Sequence, residues 1–184
     1  KKRGADLIIF EVDSPGGYLI ESLEMAKRLR ATDWAHTVAY IPRGSEAISG
    51  AAIFSLSCDD IVMHAESQMG DAGAIYLMPD GTVIQAKEKI ASYAKQIRDL
   101  AEQTGRSPDL AEAMMDSDLE VFKATNKTTG EVRFVSTLEA KRLQQEVDGD
   151  DWVVDEVPVE ESKKGRFLMV NGKRAVELKL ARAN

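Results

Sequence analysis

Apolar positions change their spacing several times along the chain, and each change marks an element. Leu7–Val12 is a near-continuous apolar run of strand length, which reads as a buried strand of a parallel sheet. Asp13-Ser14-Pro15-Gly16-Gly17 is a turn. After it Leu19, Ile20, Leu23, Ala26 and Leu29 recur at helical spacing and predict an amphipathic helix over residues 18–31. Thr37–Ile41 reads as a second strand and Arg43–Glu46 as a loop. Ile48–Leu56 is small and apolar on every side, the mark of a buried helix, which Cys58-Asp59-Asp60 ends. Ile61–Met63 is a third strand. Strand, helix, strand, helix, strand predicts an α/β fold.

Further on, Ile75–Leu77 and Val83–Ile84 flank Pro79-Asp80-Gly81 and predict a hairpin. Residues 85–104 form a second amphipathic helix with Ile90, Tyr93, Ile97, Leu100 and Ala101 on one face, and Gly105 is placed to stop it. Ser107 before Pro108 reads as the N-cap of a short helix. The character then changes. Leu119–Thr125 and Glu131–Val135 suggest an exposed hairpin, and Ser136-Thr137-Leu138-Glu139 resembles a capping box opening a helix to about Val147. Asp148–Asp151 is a solvated acidic loop. Trp152–Val157 and Phe167–Val170 are short strands, Asn171-Gly172 is a turn, and Arg174–Ala183 is a terminal helix. No internal repeat and no low-complexity segment is present.

Composition narrows the chemistry. At 184 residues and 43% hydrophobic content, the chain fits one compact domain with a real core. The single cysteine, Cys58, excludes a disulfide framework and any zinc site built on several thiolates. Two histidines, His36 and His64, cannot make a three-histidine metal site, so no metal and no cofactor is expected. A net charge of -7 argues against a nucleic-acid partner. No apolar run approaches the roughly 20 residues of a membrane helix. The start, Lys1-Lys2-Arg3-Gly4, holds no signal peptide and no initiator Met, so the chain reads as a piece of a longer protein.

Several constellations could carry reactions. Ser14-Pro15-Gly16-Gly17 follows a strand and precedes a helix. Its glycines let the backbone approach a ligand and aim N–H groups at an oxyanion, or serve as a plain turn. Ser49 opens the buried helix, as a nucleophile or as an ordinary N-cap, with Gly50 beside it. A serine nucleophile needs a base. Lys87 or Lys89 could serve if burial lowered the pKa by about 3 units, roughly 4 kcal/mol against the ammonium; local spacing does not choose between them. His36, His64 and Cys58 read as structural. Gly70-Asp71-Ala72-Gly73 is either a border of a substrate cleft or an ordinary loop.

Taken in order, these residues resemble the ClpP/crotonase superfamily, and within it the membrane-associated NfeD-like and signal peptide peptidase A-like serine proteases. The resemblance runs from Ile8–Gly17 through Ala47–Ala52, Cys58–Met63 and Met69–Gly73 to Ala101–Arg106, and returns at Asn171–Leu178. It implies an α/β fold of the ClpP/crotonase type, a spiral of ββα units. It implies one ClpP-like protease domain over residues 1–184, lacking the family's first strand, with residues 119–170 as a β-rich insertion. It further implies a Ser/Lys dyad of Ser49 and Lys89, since Lys89-Ile90 fits the family pattern better than Lys87-Glu88. Gly17 and Gly50 would supply the oxyanion donors, with Gly16 shaping the turn.

The activity so implied is serine endopeptidase cleavage of hydrophobic peptides or membrane-protein segments. A homo-oligomer, a membrane partner or membrane domain in the full-length protein, and a soluble domain on the extracytoplasmic side of the membrane are the matching expectations. Two other readings fit the same residues: a crotonase-like acyl-CoA enzyme in which Ser49 is incidental, and a non-catalytic interaction module that keeps the fold.

Overall fold

The computed structural model describes residues 4–80, 83–85, 87–145 and 151–182. Three parallel strands form its first sheet: β1 (Leu7–Glu11), β2 (His36–Ile41) and β4 (Asp60–Met63), in the order β1-β2-β4. The connections between them carry α1 (Leu19–Arg30) and α2 (Gly50–Leu56), which pack on each other. This is the predicted alternation, with helix boundaries close to those read from periodicity. One expectation is corrected. β1 is not buried on both faces: Leu7 and Ile9 are 49% and 60% exposed on the face that His36, Val38 and Tyr40 of β2 share, and Ile8 and Phe10 turn inward.

A second sheet was not legible in the pattern. β3 (Glu46–Ile48) runs parallel to β5 (Gln68–Gly70), and β11 (Met169–Asn171) pairs with β5 from the other side, antiparallel. Each has three residues, too few to show a period of two. The hairpin of β6 (Ile75–Leu77) and β7 (Val83–Gln85) is antiparallel as expected, and α3 (Lys87–Gln103) follows it. Ile97, Leu100 and Ala101 bury one face of α3 in the main core. Gly105, at φ 70, ends this segment as anticipated.

Ser107 caps α4 (Pro108–Ala113): its Oγ accepts from Leu110 N–H at 3.2 Å. β8 (Val121–Asn126) and β9 (Val132–Ser136) form the second hairpin, and β10 (Trp152–Val154) adds to β8. This hairpin buries residues on both faces and is not exposed. Val121 and Phe134 join the main core; Ala124, Val135 and Trp152 join Ala140 and Leu143 of α5 (Thr137–Leu143) in a small core of their own. Ser136 Oγ accepts from Glu139 N–H, so the expected cap is present, but the helix ends at Leu143. Residues 148–150 of the expected acidic loop lie outside the described residues. Asn171 is a cap and not a turn residue. Its Oδ1 accepts from Arg174 N–H at 2.9 Å and opens α6 (Gly172–Glu177), two positions earlier than the sequence suggests, and the helix ends at Glu177 and not at Ala183.

One buried cation ties distant parts together. Arg106 donates to the carbonyls of Leu56, Cys58 and Asp59, just beyond α2, and to Leu180 O at 2.8 Å. Arg182 N–H donates to Ile61 O at 2.9 Å, so the C-terminal segment lies along β4. The end of α2 is thereby fixed by residues from two other regions of the chain.

Candidate active site

The turn at Ser14–Gly17 is stitched to β3. Ser14 N–H donates to Glu46 O at 2.7 Å, and Ile48 N–H donates to Ser14 O at 3.0 Å. Asp13 Oδ1 accepts from Glu46 N–H at 3.2 Å, and Ser14 Oγ accepts from Gly16 N–H at 3.2 Å. A plain link from strand to helix needs none of these bonds. They hold the two glycines beside the residue that follows β3.

That residue is Ser49. Its N–H donates to Gly70 O at 3.0 Å, and its carbonyl accepts from Ala52 and Ile53 N–H. Its backbone lies at φ 57, ψ -122, a region that costs a residue with a side chain about 1–3 kcal/mol. An ordinary N-cap serine has extended backbone and bonds its hydroxyl to an amide of the first turn. Ser49 does neither; its Oγ caps no amide of α2.

Two glycines make the strained geometry possible. Gly16 has φ 120, and a Cβ there would lie 2.5 Å from Ser49 Cβ and 2.9 Å from Ile48 O, so only glycine fits. A Cβ on Gly50 would lie 2.1 Å from Ser22 Oγ and 3.2 Å from Gly17 N. The Gly17 amide therefore sits against the first residue of α2. Gly50 N–H has no acceptor within its own helix, being in the first turn. Among the described residues, Gly17 N–H has none either. Two free donors beside a hydroxyl are the parts an oxyanion requires.

Clefts open on both sides of this arrangement. One, of 490 Å³, is lined by Ser49, Ile20, Ala72, Ala74, Ile75 and Tyr93 among others. The other, of 430 Å³, is lined by Gly16, Gly17 and Gly50 together with Phe10 and Phe54. Gly17, Tyr18 and Glu21 border both. The loop Gly70–Gly73 thus borders a cleft, through Ala72 and Gly73. A larger cavity, 790 Å³ between α3, α4 and β9, includes neither Ser49 nor these glycines. Of the two smaller clefts, Ser49 itself lines the one of 490 Å³, and Gly16 and Gly50 line the other.

Gly16, Gly17, Ser49 and Gly50 are therefore brought together. Lys87 and Lys89 lie in the first turn of α3, and their side chains lie outside the described residues. Position 89 is four residues before Tyr93, which lines the Ser49 cleft, and residues four apart share a helix face. Position 87 falls on a different face. Ser22 and Tyr93 went unnoticed in the sequence as site residues, since both fit the helical pattern of their elements.

The other titratable candidates lie elsewhere. His36 Nε2 is 2.7 Å from Asp60 Oδ2, and His64 Nδ1 accepts from Glu66 N–H at 3.2 Å; neither lines a cleft beside Ser49. Burial pushes the Cys58 thiol up to about 12, despite the opposing field of Arg106, so it is a packed group. Among the described residues no group of three His, Cys, Asp or Glu could hold a metal ion, and no helix is long and apolar enough to cross a membrane.

The model of the NfeD1b N-terminal domain matches residues 1–157. The chain belongs to this family. It is 24% identical over 169 residues to the membrane-bound protease PH1510 of Pyrococcus horikoshii, covering 91% of this chain and 36% of that protein. It is 31% identical over 121 residues to the membrane protein NfeD1b of Bacillus subtilis, covering 65% of this chain and 26% of that protein. The chain thus spans about a third or less of the length of these NfeD relatives. Among solved structures it resembles the 1510-N membrane-bound stomatin-specific protease, as a lysine-to-alanine mutant in complex with a substrate peptide. The TM-score is 0.66 at 17% identity, over 99% of this chain and 62% of that one. A serine-to-alanine mutant of the same protease matches with TM-score 0.66 over 65% of its chain. The family fold is thus an α/β fold of the NfeD/ClpP-like type.

Proposed function

We propose that this chain is the catalytic domain of a membrane-associated serine endopeptidase, with Ser49 as nucleophile and Lys89 as base. Lys89 takes the Ser49 proton as Oγ attacks the peptide carbonyl, and the N–H groups of Gly17 and Gly50 hold the resulting oxyanion. Collapse expels the amine, which receives the proton from Lys89. Water then attacks the acyl group as Lys89 takes one of its protons, and Lys89 passes that proton to Ser49 Oγ as the acyl group leaves. Gly16 keeps the turn close enough for this geometry.

The observation that carries the reading is the strained backbone of Ser49 between two free amides and two clefts, with its hydroxyl unused as a cap. The helical register of Tyr93 supports Lys89 over Lys87. Relatives named as proteases, one solved with a substrate peptide, support a peptide or protein substrate. The names of both curated relatives support attachment to a membrane in the full-length protein. A homo-oligomer and an extracytoplasmic position for this domain belong to the same proposal.

The test is labelling with an active-site serine reagent, mapped by mass spectrometry, beside peptide cleavage assays. Ser49 is the modified residue in the wild type, and Lys89→Ala labels and cleaves at least about a hundredfold more slowly. Full activity in Lys89→Ala rules out the dyad as assigned.

A further inference from the structure

We infer that Phe167 is a positioning residue for the Ser49 cleft: its ring supports the Gly70–Gly73 loop and so sets how far the cleft wall at Gly73 stands from the nucleophile. The inference rests on the endopeptidase reading above and names a residue that shapes the same site from outside it. Ser49, Ala72, Gly73 and Ala74 all line the cleft of 490 Å³. Phe167 is not part of that lining, and it meets the wall through Gly73. A Cβ on Gly73 would lie 2.3 Å from Phe167 Cζ and 2.6 Å from both Cε atoms, so the tip of the ring fills the space that a side chain at position 73 would take. Backbone conformation does not demand glycine there, because Gly73 is not among the residues with positive φ. The demand comes from the ring.

Main-chain bonds hold the earlier part of the loop. Ser49 N–H donates to Gly70 O at 3.0 Å, Asp71 N–H to Leu168 O at 2.9 Å, and Ala72 N–H to Met114 O at 2.7 Å. Such bonds do not depend on which side chains are present. Gly73 comes next, and there the support is a side chain. The backbone on either side of Phe167 is itself fixed: Leu168 N–H donates to Ala113 O at 2.8 Å, and Gly165 N–H to Ser117 O at 2.6 Å. The ring is half-buried, and among the described residues it is not one of the partly buried hydrophobics packed on the main core. Core packing therefore does not account for an aromatic residue at this position, whereas the fit to Gly73 does. Protein interiors are close-packed, so a shorter side chain at 167 lets the wall settle away from Ser49. A side chain at 73 meets the ring and displaces the wall the other way. Either shift changes how a substrate residue fits against the wall. Gly70, tied to Ser49 by main chain, keeps the nucleophile in place.

The experiment uses the whole chain. It measures kcat and KM on an internally quenched peptide that the wild type cleaves, together with the rate at which a small serine reagent labels Ser49. Phe167→Leu raises KM about fivefold or more, with kcat and Ser49 labelling within about twofold of the wild type. Gly73→Ala raises KM by a similar factor. Combining Gly73→Ala with Phe167→Leu returns KM to within about twofold of the wild type, because the shorter side chain makes room for the added methyl. Phe167→Met, closer in length to the ring, replaces Phe167→Leu if that variant does not fold, and moves KM in the same direction. Unchanged KM in both single variants, or losses that add in the pair instead of cancelling, overturns the assignment and leaves the endopeptidase reading intact. So does a joint fall in kcat, labelling rate and Tm at unchanged KM, which marks Phe167 as structural. No cleavage of any peptide together with no labelling of Ser49 in the wild type overturns the endopeptidase reading and this inference with it.

Discussion

Gly16 and Ser49 occupy one another's space: a Cβ added to Gly16 would stand 2.5 Å from Ser49 Cβ. Gly16 cannot take a side chain without moving Ser49. Gly16 also has φ 120, so Gly16→Ala combines a steric conflict with a backbone strain. It should cost about 2–4 kcal/mol of stability and displace the serine from its two amides. Thermal unfolding and the rate of Ser49 labelling check this together; a fully labelled, equally stable variant would contradict it.

The strain at Ser49 predicts an uncommon mutant. Ser49→Gly removes a side chain from φ 57, which glycine accepts readily. Allowing for the extra freedom glycine gives the unfolded chain, the variant should be more stable by roughly 1 kcal/mol while losing peptide cleavage. Ser49→Ala loses cleavage too but keeps the strain. Comparing the two melting curves separates the cost of the conformation from the loss of the hydroxyl.

Ser22 and Gly50 should behave as a coupled pair. A Cβ on Gly50 would come within 2.1 Å of Ser22 Oγ, so Gly50→Ala is destabilising alone. Removing that hydroxyl by Ser22→Ala opens the space, although Ser22 Cβ remains at 3.0 Å. A double-mutant cycle should therefore show about 1–2 kcal/mol of favourable coupling, read from chemical denaturation.

Acid stability reports on Asp59. Burial alone would raise its pKa, but hydrogen bonds from Arg30 and Thr37 outweigh that and hold it at about 2, below the ordinary 3.8. The folded state thus favours the carboxylate. The stabilisation is fully present above about pH 4–5 and is lost as pH falls towards 2. With partial solvent screening it amounts to about 1 kcal/mol. Thr37→Val should flatten the pH dependence of stability between pH 5 and 2, measured by denaturant titration at each pH.

Arg106→Met tests the anchor behind the site. It would leave the carbonyls of Leu56, Cys58, Asp59 and Leu180 short of a donor. The expected loss is about 3 kcal/mol, seen as a lowered Tm, with Ser49 labelling slowed near the melting range.

The parts of the fold readable in advance were apolar runs of strand length and apolar residues at helical spacing. β1, α1, β2 and α3 announced themselves this way. β3 and β5 did not, because neither is an apolar run: each carries a polar residue among only three, and Gly70 at the end of β5 looks like a turn. Asn171-Gly172 is ambiguous by nature: the same dipeptide makes tight turns and helix starts. Here glycine is required by packing, since a Cβ on Gly172 would lie 2.1 Å from His64 O. The exposure of Leu7 and Ile9 was hidden because residue type does not reveal whether one face of a strand is left uncovered. At the site, Gly16, Gly17, Ser49 and Gly50 were visible as a spacing of small residues. The clefts were not, because Phe10, Met25, Phe54 and Tyr93 come from four elements and meet only in three dimensions.

The position of Arg106 has a consequence for the order in which the fold assembles. During synthesis β1, α1 and α2 emerge first, yet the carbonyls ending α2 await a guanidinium made some fifty residues later, at a separation of 48 for the Cys58 contact. That guanidinium in turn leans on Leu180, near the last described residue. The serine-bearing helix therefore locks only when the final segment of the domain leaves the ribosome. A nascent chain therefore holds Ser49 loosely, and under the proposed function this delays peptide cleavage until the segment around Leu180 has been made.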